Sequence, residues 1–185
     1  YIDVIPAQQR TGEYWYRGTA DAIYQNIYSI EQEQPDYVLV LAGDHVYKMN
    51  YAEMLDFHQA HHAAVTVGVI EIEKEHAKSF GIVEVDHEGR IVGFEEKPDE
   101  PKTIPGQPTR CYASMGIYLF DRMLLEHALI GDAERSESTH DFGRDVIPAA
   151  ARNVKVMAYN FKDENKKESK YWRDIGTLDA YYEAN

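Results

Sequence analysis

Short β-branched apolar runs alternate along the chain with stretches whose apolar residues recur every three to four positions. Tyr37–Ala42 (YVLVLA) and Ala63–Ile70 (AAVTVGVI) are of the first kind, the pattern of strands buried on both faces. Between them, Tyr51–His61 sets Met54, Leu55 and His58 on one side of a helix, which predicts a β-α-β unit. Upstream, Gly18-Thr19 opens a helix over Ala20–Glu33 with Ala22, Ile23, Ile27 and Ile30 as its apolar stripe; Asp21 suits its positive start and Pro35 ends it. Downstream, Gly81–Val85 and Arg90–Glu95 read as a hairpin through residues 86–89, with Gly89 supplying the positive φ. Residues 98–110 hold four of the seven prolines and predict a mobile surface loop. A strand over Ser114–Phe120, helices over Arg122–Ile130 and Phe142–Ala151, a strand over Val154–Phe161 and a helix from Thr177 complete an α/β succession. Residues 163–170 (DENKKESK) read as a solvated, flexible insertion. Neither an internal repeat nor a second apolar core emerges, so residues 1–185 are read as one domain-sized unit.

Composition adds enough apolar material for a core, 44% of 185 residues with 14 Tyr and 6 Phe. The formal charge of −13 and pI near 5.0 disfavour nucleic acid and anionic membrane as partners. Phosphorylated small molecules remain open, provided a metal ion and a few Lys or Arg residues reverse the field inside one cleft. Cys111 stands alone in an apolar run and reads as a buried side chain. With no run near the ~18 apolar residues of a membrane span and no leader-like start, a cytoplasmic, reducing setting is expected.

Ligands of open α/β sheets gather beyond the carboxyl ends of strands, which directs attention to four segments. Gly43-Asp44-His45 follows YVLVLA: Asp44 suits Mg²⁺ shared with substrate phosphates and Gly43 lets a ligand approach the backbone, or Asp44 is a turn residue bonding its own backbone. Asp174, just before the last helix, is either a helix-entry carboxylate or a second metal carboxylate paired with Asp44. In Glu95-Glu96-Lys97-Pro98, Pro98 is expected to hold Lys97 extended, presenting its ammonium to a phosphate while Glu96 accepts from sugar hydroxyls; the alternative is a solvated ion pair. Trp15-Tyr16-Arg17-Gly18-Thr19 joins an aromatic pair to a helix start, where anions bind and bases stack, although core helices start this way too. His58, His61 and His62 read as a solvated helix end rather than a metal site, and Asp141 as the N-cap of the helix after it.

Together WYRGTADA, LAGDH-x-YKMNY, SFG at 79–81, EEKP, ASMGIYLF, HDFGRDVIP and YWRDIGTLDAY stand in the order seen in bacterial ADP-glucose pyrophosphorylases, and the chain resembles that family over nearly its whole length. The resemblance implies a Rossmann-like, GT-A-like nucleotidyltransferase fold, a three-layer sandwich with a mixed, mostly parallel sheet that is incomplete at its N-terminus. It implies ADP-glucose synthesis from ATP and glucose 1-phosphate with Mg²⁺, in an allosteric enzyme of glycogen or starch synthesis whose parent is a homotetramer. It assigns Asp44 and Asp174 to the metal and Lys97 to the sugar phosphate. It places Glu96, Gly81, Ser114 and Asp141 in the glucose pocket, and Tyr16, Gly18 and Thr19 near the nucleotide and the activator-responsive region. Missing from the pattern are the family's Gly-rich triphosphate loop and its C-terminal left-handed β-helix. Poor activity of the isolated chain and self-association along an exposed strand are therefore expected. Two other readings stay open: a sister enzyme using dTTP, UTP or GTP, and a regulatory or sugar-phosphate-binding subunit without catalysis.

Overall fold

In the computed structural model, residues 2–7, 9, 15–163, 168–169 and 171–184 are described. The chain runs through α1 (Thr19–Tyr24), α2 (Ile27–Glu33), β1 (Tyr37–Leu41), β2 (His45–Tyr47), α3 (Tyr51–Ala60) and β3 (Val65–Glu73). After a 3₁₀ turn at Lys74–Ser79 come β4 (Gly81–Val85), β5 (Ile91–Glu96), β6 (Arg110–Asp121) and α4 (Arg122–Ala133). A π-type turn at Phe142–Val146 leads into α5 (Ile147–Asn153), β7 (Val156–Asn160), the short pair β8 (Lys162–Asp163) and β9 (Glu168–Ser169), β10 (Trp172–Asp174) and α6 (Leu178–Glu183).

β6 organises the main sheet. β3 lies antiparallel along one of its edges and pairs in parallel with β7 on its own far side. The other edge of β6 is shared: β1 pairs antiparallel with Ile117–Asp121, β4 with Tyr112 and Ala113, and β5 closes a hairpin onto β4. The sheet is mixed, as the α/β reading requires. β1, β3, β4 and β7 run one way and β5 and β6 the other, so most strands point together while β3–β7 is the one parallel ladder among the described residues.

Alternation along β6 sends its side chains to two cores, which makes three layers. Tyr118 and Phe120 join Val65, Val67, Leu125, Leu129 and Ile147 on the face covered by α1, α2, α4 and α5. Cys111, Ala113, Met115, Ile117 and Leu119 join Met54 of α3, Ala77 and Phe161 on the other. Cys111 is fully buried, and burial pushes its thiol pKa up, as fits a structural side chain.

Several local expectations change. The long first helix is two, broken at Gln25-Asn26, where the Asn26 amide donates back to the Ala22 carbonyl; α2 then ends in left-handed Gln34, before Pro35. His58 is not a solvated helix end: it is 1% exposed, with Nδ1 2.8 Å from Thr66 Oγ1 and Nε2 3.2 Å from Asp121 Oδ1. Nor is 98–110 a free loop, since Pro98, Pro101 and Ile104 are buried and Ile104 bridges to Gln107. The 86–89 turn forms as expected, with Gly89 at φ +78 and the Asp86 carboxylate accepting from the Glu88 and Arg90 N–H groups. Within the charged stretch 163–170, residues 164–167 and 170 lie outside the described residues. No helix among the described residues is long and apolar enough to cross a membrane.

At the end of β3 the Glu71 carboxylate is almost fully buried and gathers Lys162, the Asn160 amide at 2.8 Å and Arg110 at 3.1 Å. Burial alone would raise its pKa, but these donors outweigh that and hold it below the ordinary carboxylate range. A depressed carboxyl pKa contributes stability that is present above the unfolded value and lost as pH falls through the folded one. Glu71→Gln should therefore unfold at lower denaturant concentration than wild type at pH 7, with the gap narrowing as pH drops below ~4. Urea titrations at several pH values check this; a pH-independent gap would contradict it.

Candidate active site

Because β1 and β4 share one edge of β6, and the Ala42 N–H just past β1 donates to the Gly116 carbonyl at 3.1 Å, the ladder on that edge is interrupted between them at Ser114 and Met115. A cleft of about 880 Å³ lies there, at the carboxyl end of β1, with Ser114, Gly116 and Tyr118 among its lining residues. Gly116, at φ +65, sits where the β3–β6 register slips between Val67 and Val69. It also lets the segment after β1 come close: a Cβ there would stand 3.1 Å from His45 Cε1 and 3.2 Å from the Ala42 Cβ.

Asp44 and Asp174 meet through a second, two-stranded sheet. β2 and β10 pair antiparallel with Asp174 opposite His45, and the Ile175 N–H donates to the Asp44 carbonyl at 2.9 Å. Ligand atoms of Asp44, His45 and Asp174 all lie within 4.8 Å of one another. The Asp44 carboxylate is 65% exposed, with His45 Nε2 at 3.6 Å. Asp174 accepts the Gly176 N–H at 2.7 Å, so part of its acceptor capacity is used locally. Two carboxylates, one from the turn before β2 and one from β10, form a hard-oxygen donor set suited to a divalent cation. Two buried polar atoms beside them, His45 Nδ1 and Trp172 Nε1, have no hydrogen-bond partner among the described residues.

The facing wall joins the start of α1 to the π-type turn. Asp141 caps that turn, accepting the Gly143 and Arg144 N–H groups at 2.9 and 3.0 Å on Oδ1, and it also accepts the Thr19 hydroxyl at 3.0 Å on Oδ2. The cap expected from sequence is therefore present on a side chain that also lines the cleft. Between the walls Gly81 clears room, since a Cβ there would stand 2.6 Å from Phe94 Cζ and 2.9 Å from Glu96 Oε2. Lys97 is not extended, contrary to the expectation from Pro98. Its N–H donates to the Phe80 carbonyl at 3.0 Å, and its backbone turns left-handed, φ +51, as the chain leaves β5. The ammonium is still offered to the cleft, 58% exposed and 4.0 Å from Glu96 Oε1. Tyr118 is buried; burial, with Asp141 and Glu96 nearby and against a hydrogen bond with Ser114, pushes its phenol up to about 12, so it stays protonated and able to donate.

Gly18, Thr19, Gly43, Asp44, Gly81, Glu96, Lys97, Ser114, Asp141 and Asp174 thus line one cleft. Tyr16 does not: its hydroxyl accepts from Asn26 at the break between α1 and α2. Sequence reasoning passed over His45, Tyr118, Arg144 and Trp172, which also line it. Each lies inside a quoted motif, and Tyr118 shares the sheet face of Ser114.

Residues 2–185 match the sequence pattern described as nucleotidyl transferase. The chain belongs to the nucleotidyl transferase family. Over its full length this nucleotidyl transferase is 52% identical to a glucose-1-phosphate adenylyltransferase of Rhodopirellula baltica, covering 42% of that protein. It is 51% identical to glucose-1-phosphate adenylyltransferase 2 of Alkalilimnicola ehrlichii and 48% to glucose-1-phosphate adenylyltransferase 1 of Vibrio parahaemolyticus, covering 44% and 46% of them. The chain therefore spans less than half the length of these curated relatives.

Gly18 tests how tightly the nucleotidyl transferase cleft is built. Its φ of −174 suits any residue, but a Cβ would stand 2.3 Å from the His140 carbonyl oxygen and 2.5 Å from that of Thr139. Gly18→Ala should cost about 1–3 kcal/mol of stability, as overpacking against fixed backbone does. Chemical denaturation measures it, and an unchanged midpoint would refute the tight join.

Proposed function

We propose that this chain carries the nucleotidyl-transfer site of a glucose-1-phosphate adenylyltransferase, which makes ADP-glucose and pyrophosphate from ATP and glucose 1-phosphate in glycogen or starch synthesis. The reading is carried by the meeting of Asp44, Asp174, Glu96, Lys97, Ser114 and Asp141 in one cleft of a nucleotidyl transferase whose relatives bear that name. A phosphate oxygen of glucose 1-phosphate attacks the α-phosphorus of ATP. The new P–O bond forms as the bond to the α,β-bridging oxygen breaks, and pyrophosphate leaves in line with the electron pair. An ionised phosphate needs no general base, so the protein's task is to hold charge and orient the two substrates. Lys97 supplies a point charge for the sugar phosphate. Glu96 and Asp141 accept from sugar hydroxyls, while Ser114 and the neutral Tyr118 phenol are placed to donate. Gly18 and Thr19 take the nucleotide side, and Gly43 leaves room beside Asp44 for the triphosphate. Asp44 and Asp174 would hold Mg²⁺, which when bound offsets the negative charge crowded at the reacting phosphates.

The same reading extends to the whole protein as a cytoplasmic, allosterically controlled homotetramer. Self-association of the chain is supported by β1, whose second edge has no partner among the described residues.

In the whole protein, pyrophosphate release from glucose 1-phosphate with ATP, UTP, dTTP and GTP in parallel is the deciding assay. Preference for ATP supports the adenylyl assignment; preference for another base overturns it. Asp44→Asn should lower turnover at least ~100-fold with an unchanged near-ultraviolet CD spectrum, the loss of a metal-held charge. Lys97→Gln should raise the KM for glucose 1-phosphate roughly 10- to 100-fold, the worth of one charge-assisted hydrogen bond, and leave the KM for ATP within about twofold. Equal effects on both substrates would remove Lys97 from the sugar phosphate.

A further inference from the structure

The reaction above makes no use of a buried pair, Asp132 near the end of α4 and His140 just before the π-type turn, 6% and 3% exposed. His140 Nδ1 lies 2.8 Å from Asp132 Oδ2. The Ser138 hydroxyl donates to Asp132 Oδ1 at 2.6 Å and accepts the His140 N–H at 3.0 Å, closing a small ring of bonds. Inside that ring His140 is held left-handed at φ +56, a conformation that non-glycine residues rarely adopt.

The products of this turn all reach the cleft. The His140 carbonyl accepts the Ala20 N–H at 2.8 Å and occupies the space that a Gly18 side chain would need. The next residue is Asp141, whose Oδ2 accepts the Thr19 hydroxyl, and Thr19 in turn accepts the Phe142 N–H at 3.1 Å. Segments 120 residues apart are joined here, and Gly18, Thr19, Asp141 and Phe142 all line the cleft. The molecule carries its own comparison: His58 is also buried against an aspartate, Asp121, but neither residue lines the cleft.

We propose that Asp132 and His140 are positioning residues: their bond fixes the left-handed turn that clamps Gly18–Ala20 to Asp141 and thereby sets the shape of the sugar-phosphate pocket. The identity of the ligand rests on the adenylyltransferase reading; the clamp itself does not. A residue serving stability alone would lower the unfolding midpoint and leave ligand affinity untouched.

Two readouts on this chain test the clamp: calorimetric titration with glucose 1-phosphate, and amide exchange at Ala20 and Phe142. His140→Gly permits the left-handed backbone but removes the ring, whereas His140→Asn tolerates that backbone and keeps a donor for Asp132. His140→Gly should weaken glucose 1-phosphate at least ~10-fold and speed exchange at both amides, with His140→Asn recovering most of each. His58→Asn, the control, should lower stability without moving affinity. Should His140→Gly not fold, the isosteric Asp132→Asn takes its place with the same expected losses. A glycine variant that binds and exchanges like wild type, or an asparagine variant no better than glycine, overturns the proposal. If wild type does not bind glucose 1-phosphate, the adenylyltransferase reading fails, while exchange at Ala20 and Phe142 still decides the clamp.

Discussion

Two strands share one edge of β6, and the geometry of the site follows from the gap between them. A sheet edge with exposed N–H and C=O groups is normally paired or covered. Here β1 takes Ile117–Asp121, the Ala42 N–H takes the Gly116 carbonyl, β4 takes Tyr112 and Ala113, and the ladder is interrupted at Ser114 and Met115, beside the cleft. The chain leaving β1 turns away at Gly43-Asp44, and the chain entering β4 arrives through Ser79 and Phe80, so both flanks of the gap are loops whose side chains point across it. A single ladder along the whole edge of β6 would keep both cores and close the cleft.

Holding that gap open requires rigidity on every other side. β3 covers the full opposite edge of β6, both faces are packed with apolar side chains, and the far end of the ladder is tied by Glu71 to Arg110, Asn160 and Lys162. Even the irregularity is supported: Gly116 lies in the slip on β6, and on β3 a Cβ at Gly68 would stand 3.1 Å from that of Ile117. Two glycines let the strands stay close where β6 distorts, and the distortion admits His45 behind Asp44.

Much of this was legible in the sequence because it depends on local pattern. The β-branched runs mark β1 and β3, the Asp86–Gly89 turn marks the β4–β5 hairpin, and polar residues after apolar strands mark Asp44 and Lys97. What was not legible depends on partners far along the chain. His58 looks like a helix-end histidine until Thr66 and Asp121 are seen to enclose it. Lys97 has a local rule, the proline after it, that is overridden by one tertiary hydrogen bond to Phe80. Tyr16 sits in a motif whose neighbours line the cleft, yet the break at Gln25-Asn26 draws its hydroxyl toward Asn26 instead. The prolines of 98–110 signal a loop correctly in composition but not its anchoring, which needs the buried seat that Ile104 fills.

The acidic balance of the cleft is also resolved by partners rather than by count. Asp44, Glu96, Asp141 and Asp174 outnumber Arg17, Lys97 and Arg144 among the charged lining residues, an arrangement that would repel two phosphorylated substrates if all four acids were alike. They differ in how the protein satisfies them. Asp141 accepts three protein hydrogen bonds, so its charge is spread into the backbone of the turn and its remaining lone pairs suit neutral hydroxyls. Asp44 accepts none from the described residues, and the His45 imidazole stands 3.6 Å away. A carboxylate left so little satisfied by its own protein, next to another from β10, suits a partner of positive charge; one held by three donors at a helix cap suits neutral hydroxyls. The two walls of the cleft are thus distinguished by the same residue type in two states of hydrogen bonding.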